Sequence, residues 1–264
     1  MTMLPLVSVV TVVFNGEDVI ERTLKNVLAQ DYVNIEYIVI DGGSTDGTLE
    51  ILSQYRSRLA YFCSEPDRGI YDAMNKGIAV ASGAWINFMN AGDEFWSVDT
   101  ISKSAAQMLG EESVLYGGVE IHYPSFFRTE NAGNPDKLWR GMQFCHQSAF
   151  ISLPYHKTNP FNTANTIAAD LEFFHIAHLK GEKFKNLNQI VSRVITGGVS
   201  EKNRIRTLIS SCSAICGGRF HPLIRIYYGI CIIDSIVRNS LKTALPAHLV
   251  KKIILNKGRW SGGR

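Results

Sequence analysis

The sequence predicts an open α/β fold, a mostly parallel sheet flanked by helices. Three observations carry that expectation. Leu6 to Phe14 and Ile35 to Ile40 are apolar at nearly every position, as in strands covered on both faces. Between them Val19, Ile20, Leu24, Val27 and Leu28 recur at helical spacing, so the opening is β-α-β, which requires a parallel pair with a right-handed crossover. The polar loops follow the carboxyl ends of strands, the edge at which such sheets bind ligands.

The remaining elements are read in chain order. After the second strand, DGGSTDGT is a turn-rich loop, followed by a helix from about Thr48 to Arg58 and a short strand near Leu59 to Cys63. A helix spans Tyr71 to Ala81, Ser82-Gly83 breaks it, and Ala84 to Met89 forms another buried strand. Further on, VLYGGVEIHY reads as a strand pair, PSFFRTENAGNPDK as a loop, CHQSAFI as a strand and AADLEFFHIAHLKG as a helix. From Asn203, Ile205, Leu208, Ile209, Cys212, Ile215 and Cys216 form a helical stripe that Gly217-Gly218 stops, and Pro222 opens a second helix as its first residue. A boundary near residue 200 separates the α/β unit, 1–200, from a tail, 201–264.

Composition narrows the class. The 264 residues are 45% apolar and 19% charged, which excludes disordered, collagenous and disulfide-scaffold chains. The five cysteines are odd in number with no CxxC spacing, and read as reduced thiols of a cytosolic protein. The N-terminal MTMLPLVSVVTVVF lacks the basic start and cleavage site of a signal peptide and suits a buried strand. No run reaches the roughly 18 uncharged residues of a membrane span. The net charge of +3 conceals an asymmetry: residues 201–264 hold twelve basic and two acidic residues, +10, which leaves −7 on the first 200. A basic tail on an acidic body points to a polyanionic partner.

Three loops carry the chemistry. In Asp41-Gly42-Gly43-Ser44-Thr45-Asp46-Gly47-Thr48 the glycines permit positive φ, and Thr45 or Asp46 serves as a helix cap. Asp41, directly at a strand's carboxyl end, is placed to take a nucleobase amide hydrogen or a ribose hydroxyl. The spacing matches neither G-x-G-x-x-G nor G-x-x-x-x-G-K-[ST]. Ser64 to Gly77 packs polar groups around a helix start, and Asn90 to Glu94 ends the next strand with carboxylates. Three acidic loops at one sheet edge are more than caps require. A hard divalent cation on a diphosphate needs only one or two such carboxylates, because the phosphates supply the other ligands.

Six strings in order, TVVFNGEDVIERTL, VIDGGSTDGT, SEPDRGIYDAMNKGIAVASGAWINFMNAGD, CHQSAF, AADLEF and TGGVS, resemble the family-2 inverting glycosyltransferases with the GT-A fold. The likeness covers about residues 5 to 200 and is greatest to bacterial enzymes of exopolysaccharide and colanic-acid assembly. It implies a nucleotide-diphosphate sugar donor, a divalent metal (Mg2+ or Mn2+), inversion at the anomeric carbon, and a lipid-linked or oligosaccharide acceptor in surface polysaccharide synthesis. By similarity Thr11, Asn15, Glu17 and Asp41 hold the nucleoside, Asp67, Asn75 and Lys76 line the same pocket, and Asp93 is the metal-binding end of a DxD-type motif. Asp170 matches the base, which takes the proton of the attacking sugar hydroxyl. Glu172 is its rival. His146 falls near the acceptor or the leaving group.

The sequence departs from that pattern at Asn90-Ala91-Gly92-Asp93, where a pair of aspartates is usual. One carboxylate remains, and Asn90 is left to bond ribose or phosphate. The departure keeps two alternatives open: a non-catalytic nucleotide-sugar-binding partner of an assembly complex, and a nucleotidyltransferase. His175 and His178 lack a third ligand for a metal. Trp85, Trp139 and Phe144 serve either core packing or sugar stacking, and Arg193 to Ser200 either a closing loop or a plain turn. Leu223 to Leu241 and Leu249 to Leu255 are apolar with flanking arginines or lysines, which suits an interfacial helix on anionic lipid. The expectation is a cytoplasmic protein, peripheral on the inner face of the cell membrane. No nucleic-acid partner is expected, since no recognised module accompanies the charge.

Overall fold

A computed structural model describes residues 4–108, 110–196, 203–219 and 221–244. The first half alternates strand and helix: β1 (Val7–Val13), α1 (Ile20–Leu28), β2 (Ile35–Asp41), α2 (Thr48–Tyr55), β3 (Tyr61–Ser64), α3 (Ile70–Val80) and β4 (Trp85–Phe88). Then come β5 (Glu94–Phe95), α4 (Thr100–Ala105), β6 (Val114–Tyr123), β7 (Phe126–Glu130), β8 (Ala149–Ser152), α5 (Leu153–Thr158), α6 (Ala169–Leu179) and β9 (Phe184–Ile195). Two helices, α7 (Arg204–Cys216) and α8 (Pro222–Ala244), end the described chain.

The strands form one mixed sheet in the order β3-β2-β1-β4-β8-β6-β9-β5, with β7 added on β6. β1 runs parallel to β2 and β4, and β2 parallel to β3. β8 enters antiparallel to both β4 and β6, while β6 and β9 are parallel. Alternation along each strand feeds two cores, one on each face. Val10, Val12, Ile38 and Ile40 join Met74 and Ile78 of α3 and Phe174 of α6. Val7, Val9, Tyr37 and Val39 join Leu24 of α1, Leu52 of α2 and Ile101 of α4. α3 lies close on β1, since a Cβ at Gly77 would stand 2.5 Å from Val10 Cγ1. An added methyl there overpacks the core, at a cost of about 1–3 kcal/mol.

Three expectations are corrected. Residues 114–123 form one strand, and its hairpin partner β7 lies in the segment expected to be loop, beyond a turn at Pro124-Ser125 that pairs Tyr123 with Phe126. The run from Cys145 starts as a 3-10 turn, His146–Ser148, before β8. β9 has no clean period-two signal because it pairs with β6 through register shifts at Gly118 and carries Asn188 at φ 54°. α7 ends as expected, at Gly217 in the left-handed conformation.

Candidate active site

The carboxyl ends of β1, β2, β3 and β4 share one edge, and the antiparallel insertion of β8 brings the start of that strand to the same edge. The residues just before β8, His146 and Gln147, therefore meet the loop that follows β4. Asn87 of β4 reinforces this by donating its side-chain amide to the carbonyls of Gln147 and Ala149, both at 2.9 Å.

The loops after β1 and β2 lock each other. Asn15, at φ 48°, accepts from the Thr45 N–H through Oδ1 at 2.9 Å, and its own N–H donates to Ser44 Oγ at 2.8 Å. Glu17 Oε2 accepts from the Gly47 N–H at 2.7 Å, where a Cβ would collide with that oxygen. The N-cap of α2 is Gly47, not the expected Thr45 or Asp46, and Asp46, one position earlier, accepts from the N–H of Thr48, the first residue of α2, at 3.0 Å through Oδ1. Asp41 is fully buried, and its carboxylate accepts from the Gly43 and Ser44 N–H groups and from the Ser44 and Ser64 hydroxyls. Asn15, Glu17 and Asp41 thus set the shape of the crevice wall. Asp67 faces that wall, with Oδ2 packed over Gly42 so closely that a Cβ there would collide with it.

Three residues expected in the nucleotide pocket are committed elsewhere. Thr11 sits in the middle of β1, fully buried, with its hydroxyl 2.7 Å from the Met89 carbonyl and 3.0 Å from Tyr37 OH, so it joins strands and does not reach the crevice. Asn75 clamps the Phe161 backbone, donating to its carbonyl at 2.9 Å and accepting from its N–H at 3.0 Å. Lys76 straps the turn before α3, 2.8 Å from Glu65 Oε1 and 3.0 Å from the Pro66 carbonyl. The Glu65 contact raises the Lys76 pKa above its ordinary value. In each case polarity serves a fixed local contact, which sequence does not distinguish from ligand binding.

The remaining predicted residues converge. His146 Nδ1 lies 3.2 Å from Asp170 Oδ2, and His146 Nε2 lies 3.0 Å from Asn90 Nδ2. Tyr71 OH stands 3.0 Å from Asp170 Oδ1, which also accepts from the Leu171 N–H at 2.8 Å. Gln147 Nε2 donates to Asp93 Oδ2 at 2.7 Å. Consecutive residues of one turn thus grip both ends of the Asn90–Asp93 loop. Tyr71 and Gln147 were not singled out from sequence, although both lie inside motif strings, beside Asp72 and His146. With Asn90 donating as placed, Nε2 is the acceptor and Nδ1 carries the proton given to Asp170.

Burial pushes the Asp170 carboxyl up, but the hydrogen bonds from His146, the Leu171 N–H and the Tyr71 hydroxyl outweigh it and hold the group below its ordinary value. Asp93 shows the reverse balance. Burial pushes it up to about 6 against the Gln147 bond and the charge of Arg22. Asn90 Oδ1 is buried with no hydrogen-bond partner. Two oxygen donors on one loop, one orphaned and one short of positive charge, fit a hard cation.

The other candidates resolve into packing. Glu172 is held by Asn162 at 2.9 Å and Asn165 at 2.8 Å, away from the partners of Asp170. His178 pairs with Asp136 at 3.3 Å, and among the described residues no group of three or more His, Cys, Asp or Glu side chains gathers around the two histidines to complete a metal site. Trp85 and Phe144 are core residues, and Trp139 packs on the core with its edge toward Tyr227. Residues 197–200 of the TGGVS segment and the stretch Leu249 to Leu255 lie outside the described residues.

Residues 8–178 match the family model described as Glycosyl transferase family 2. An uncharacterized glycosyltransferase of Mycobacterium tuberculosis (strain H37Rv) is 46% identical over 186 residues, spanning 66% of this chain and 69% of that protein. The mannosyltransferase PcManGT from Pyrobaculum calidifontis, solved with GDP-Man and Mn2+, is similar in fold with a TM-score of 0.67 at 16% identity, covering all of this chain and 82% of that one. S. aureus TarS 1-349, solved with UDP-GlcNAc, gives 0.61 at 17% identity, covering 81% and 68%.

Proposed function

The chain belongs to glycosyl transferase family 2 and has the GT-A fold, and from that premise we propose that it transfers one sugar, with inversion, from a nucleotide-diphosphate donor to a lipid-linked or oligosaccharide acceptor. The observation that carries the proposal is Asp170, one carboxylate held by His146, Tyr71 and a backbone N–H beside the Asn90–Asp93 loop. Neighbours solved with UDP-GlcNAc and with GDP-Man support a nucleotide-sugar donor.

Each part of the reaction has a group suited to it. Asn15, Glu17 and Asp41 hold the crevice wall against which the nucleoside rests, and Asp67 faces it. Asp170 takes the proton of the acceptor hydroxyl as that oxygen attacks the anomeric carbon. A carboxylate held ionised is ready for this at neutral pH. His146 keeps Asp170 charged and fixes its direction. Asp93 and the free oxygen of Asn90 would hold a divalent cation, which supplies positive charge to the departing diphosphate. The test is sugar transfer by the purified protein across a panel of nucleotide sugars, with donor binding followed by thermal shift. Failure of every donor to bind refutes the proposal.

The acceptor reading extends to location. Among the described residues no helix is long and apolar enough to cross a membrane. α8 nevertheless exposes Leu223, Ile226, Ile230, Ile233 and Val237, spaced three and four apart, beside a strongly basic tail sequence. This supports a protein that sits on an anionic cytoplasmic leaflet, where a lipid-linked acceptor is presented.

A further inference from the structure

A cleft of about 500 Å³ opens between the segment leading into α6 and helix α7. One wall carries Asn162, Asn165 and Glu172, the other Arg206, Ser210 and Ser213. Its volume falls in the ~300–1,000 Å³ range of small-ligand sites. The walls are tied together, because Ser210 Oγ donates to Asn165 Oδ1 at 2.6 Å while both asparagine amides donate to the two oxygens of Glu172. These bonds use one N–H of each amide, which leaves each a second donor, and they leave lone pairs on Glu172.

The lining selects the chemistry of the occupant. Glu172 and Arg206 put one charge of each sign on the lining, so no cluster of like charge marks the cleft for a phosphate or a carboxylate. Ile167 and Ile209 add an apolar strip, and Ile209 is 57% exposed. Planar amides and a carboxylate beside aliphatic carbon match a sugar ring, which offers adjacent hydroxyls at its edge and C–H groups on its face. A hydrogen-bonded link joins the cleft wall to the base. The carbonyl of Ile167 lies 3.1 Å from Tyr71 OH, the same hydroxyl that lies 3.0 Å from Asp170 Oδ1.

We propose that this cleft binds neutral sugar units of the acceptor and that α7 is part of the acceptor site. The proposal rests on the transferase reading and adds to it the class of group recognised beyond the reacting hydroxyl. It gives the C-terminal helices a part in substrate choice, separate from any contact with lipid.

The test uses the full chain, labelled with a fluorophore, on a printed array of neutral and anionic oligosaccharides. Thermal shift with UDP-GlcNAc and GDP-Man runs in parallel. The protein is expected to retain a subset of neutral glycans, and Asn165→Ala and Arg206→Ala to weaken that retention at least tenfold with the nucleotide-sugar response unchanged. Asn165 also braces the loop, so a second variant, Ser213→Trp, fills the cleft from an exposed position of α7 and is expected to abolish retention without altering the melting midpoint. Retention of anionic glycans alone, retention of none, or variants that bind like the parent overturn the proposal. Neutral glycans lost on Ser213→Trp in a protein that answers to no nucleotide sugar would uphold the cleft and overturn the transferase reading.

Discussion

His146 Nδ1 stands 3.2 Å from Asp170 Oδ2, joining a turn before β8 to the first turn of α6 across a side-chain pair that is 18% and 16% exposed. Because the pair is largely shielded from water, His146 governs the charge state of Asp170 more strongly than a surface neighbour would. Replacing it separates two opposing effects, burial and hydrogen bonding.

In His146→Phe, burial acts on Asp170 with its main opposing partner removed. The Asp170 pKa, held low in the parent, should rise. Since the base works only when ionised, the acid limb of kcat/KM should move to higher pH, while transfer at alkaline pH recovers toward the parental rate. A pH-rate profile checks this, and an acid limb that does not move refutes the coupling.

Asp170→Asn keeps the size of the group and most of its hydrogen bonding but removes the basic lone pair. Nucleotide-sugar affinity should stay within a fewfold while transfer falls by about 10²–10⁴. Parallel measurement of donor binding and transfer separates the two, and transfer at near-parental rate in this variant removes Asp170 from the mechanism.

The loop after β4 offers its own test. Asp93→Asn should weaken Mn2+-dependent nucleotide binding and slow transfer by roughly a hundredfold. Asn90→Asp restores a second carboxylate and should tighten Mn2+ binding, measured by titration of the metal against the nucleotide-bound protein. Activity in Asp93→Asn that equals the parent, or full parental activity in chelator, contradicts a metal at this loop.

How much of this was legible in the sequence depends on the range of the contacts. β1 and β2 stand out because both faces are buried, and the Asp46 turn because its bond reaches only two residues along. The pairing of Gln147 with Asp93 spans 54 positions and exists only because β8 inserts antiparallel beside β4. No local pattern announces that insertion. Thr11 and Asn75 misled for a related reason: a polar side chain bonded to a distant backbone carbonyl has the same local signature as one waiting for a ligand. β9 was hidden by its bulge, and β7 by aromatic residues in a stretch of turn formers. The Asp170–His146 meeting was foreshadowed only in that both residues fell in strings resembling one family.

Stability should carry a histidine signature unrelated to the active site. His156 is buried among Phe88, Phe161 and Phe173, its Nε2 has no partner, and burial pushes its pKa down to about 4. An unfolded histidine titrates near ~6.5, so between about pH 6.5 and 4 the unfolded chain holds the extra proton. Unfolding free energy should therefore fall with pH across that window, and His156→Phe, similar in shape, should flatten that part of the curve. Denaturant melts at pH 7.0 and 5.0 check it, and an equal loss in parent and variant refutes it.

The exposed stripe of α8 makes the last prediction. Leu223 is 79% exposed, Ile226 59%, Ile230 61%, Ile233 63% and Val237 50%, while Tyr228 on another face of the same helix is 1% exposed. One face is thus docked on the protein and another is apolar and open. Such a face gains by burial in the interfacial region of a bilayer, and each nearby Lys or Arg adds about 1 kcal/mol against anionic lipid. The full-length protein should co-sediment with phosphatidylglycerol-rich vesicles at low salt, and less so at 0.5 M NaCl, since ions screen the charge contribution. The double substitution Ile230→Glu with Ile233→Glu should reduce binding at least tenfold at low salt while leaving nucleotide-sugar affinity unchanged, because neither side chain faces the crevice. If the parent protein stays in solution with such vesicles at low salt, or forms a dimer that the double substitution dissolves, the stripe serves protein contact and the membrane assignment falls.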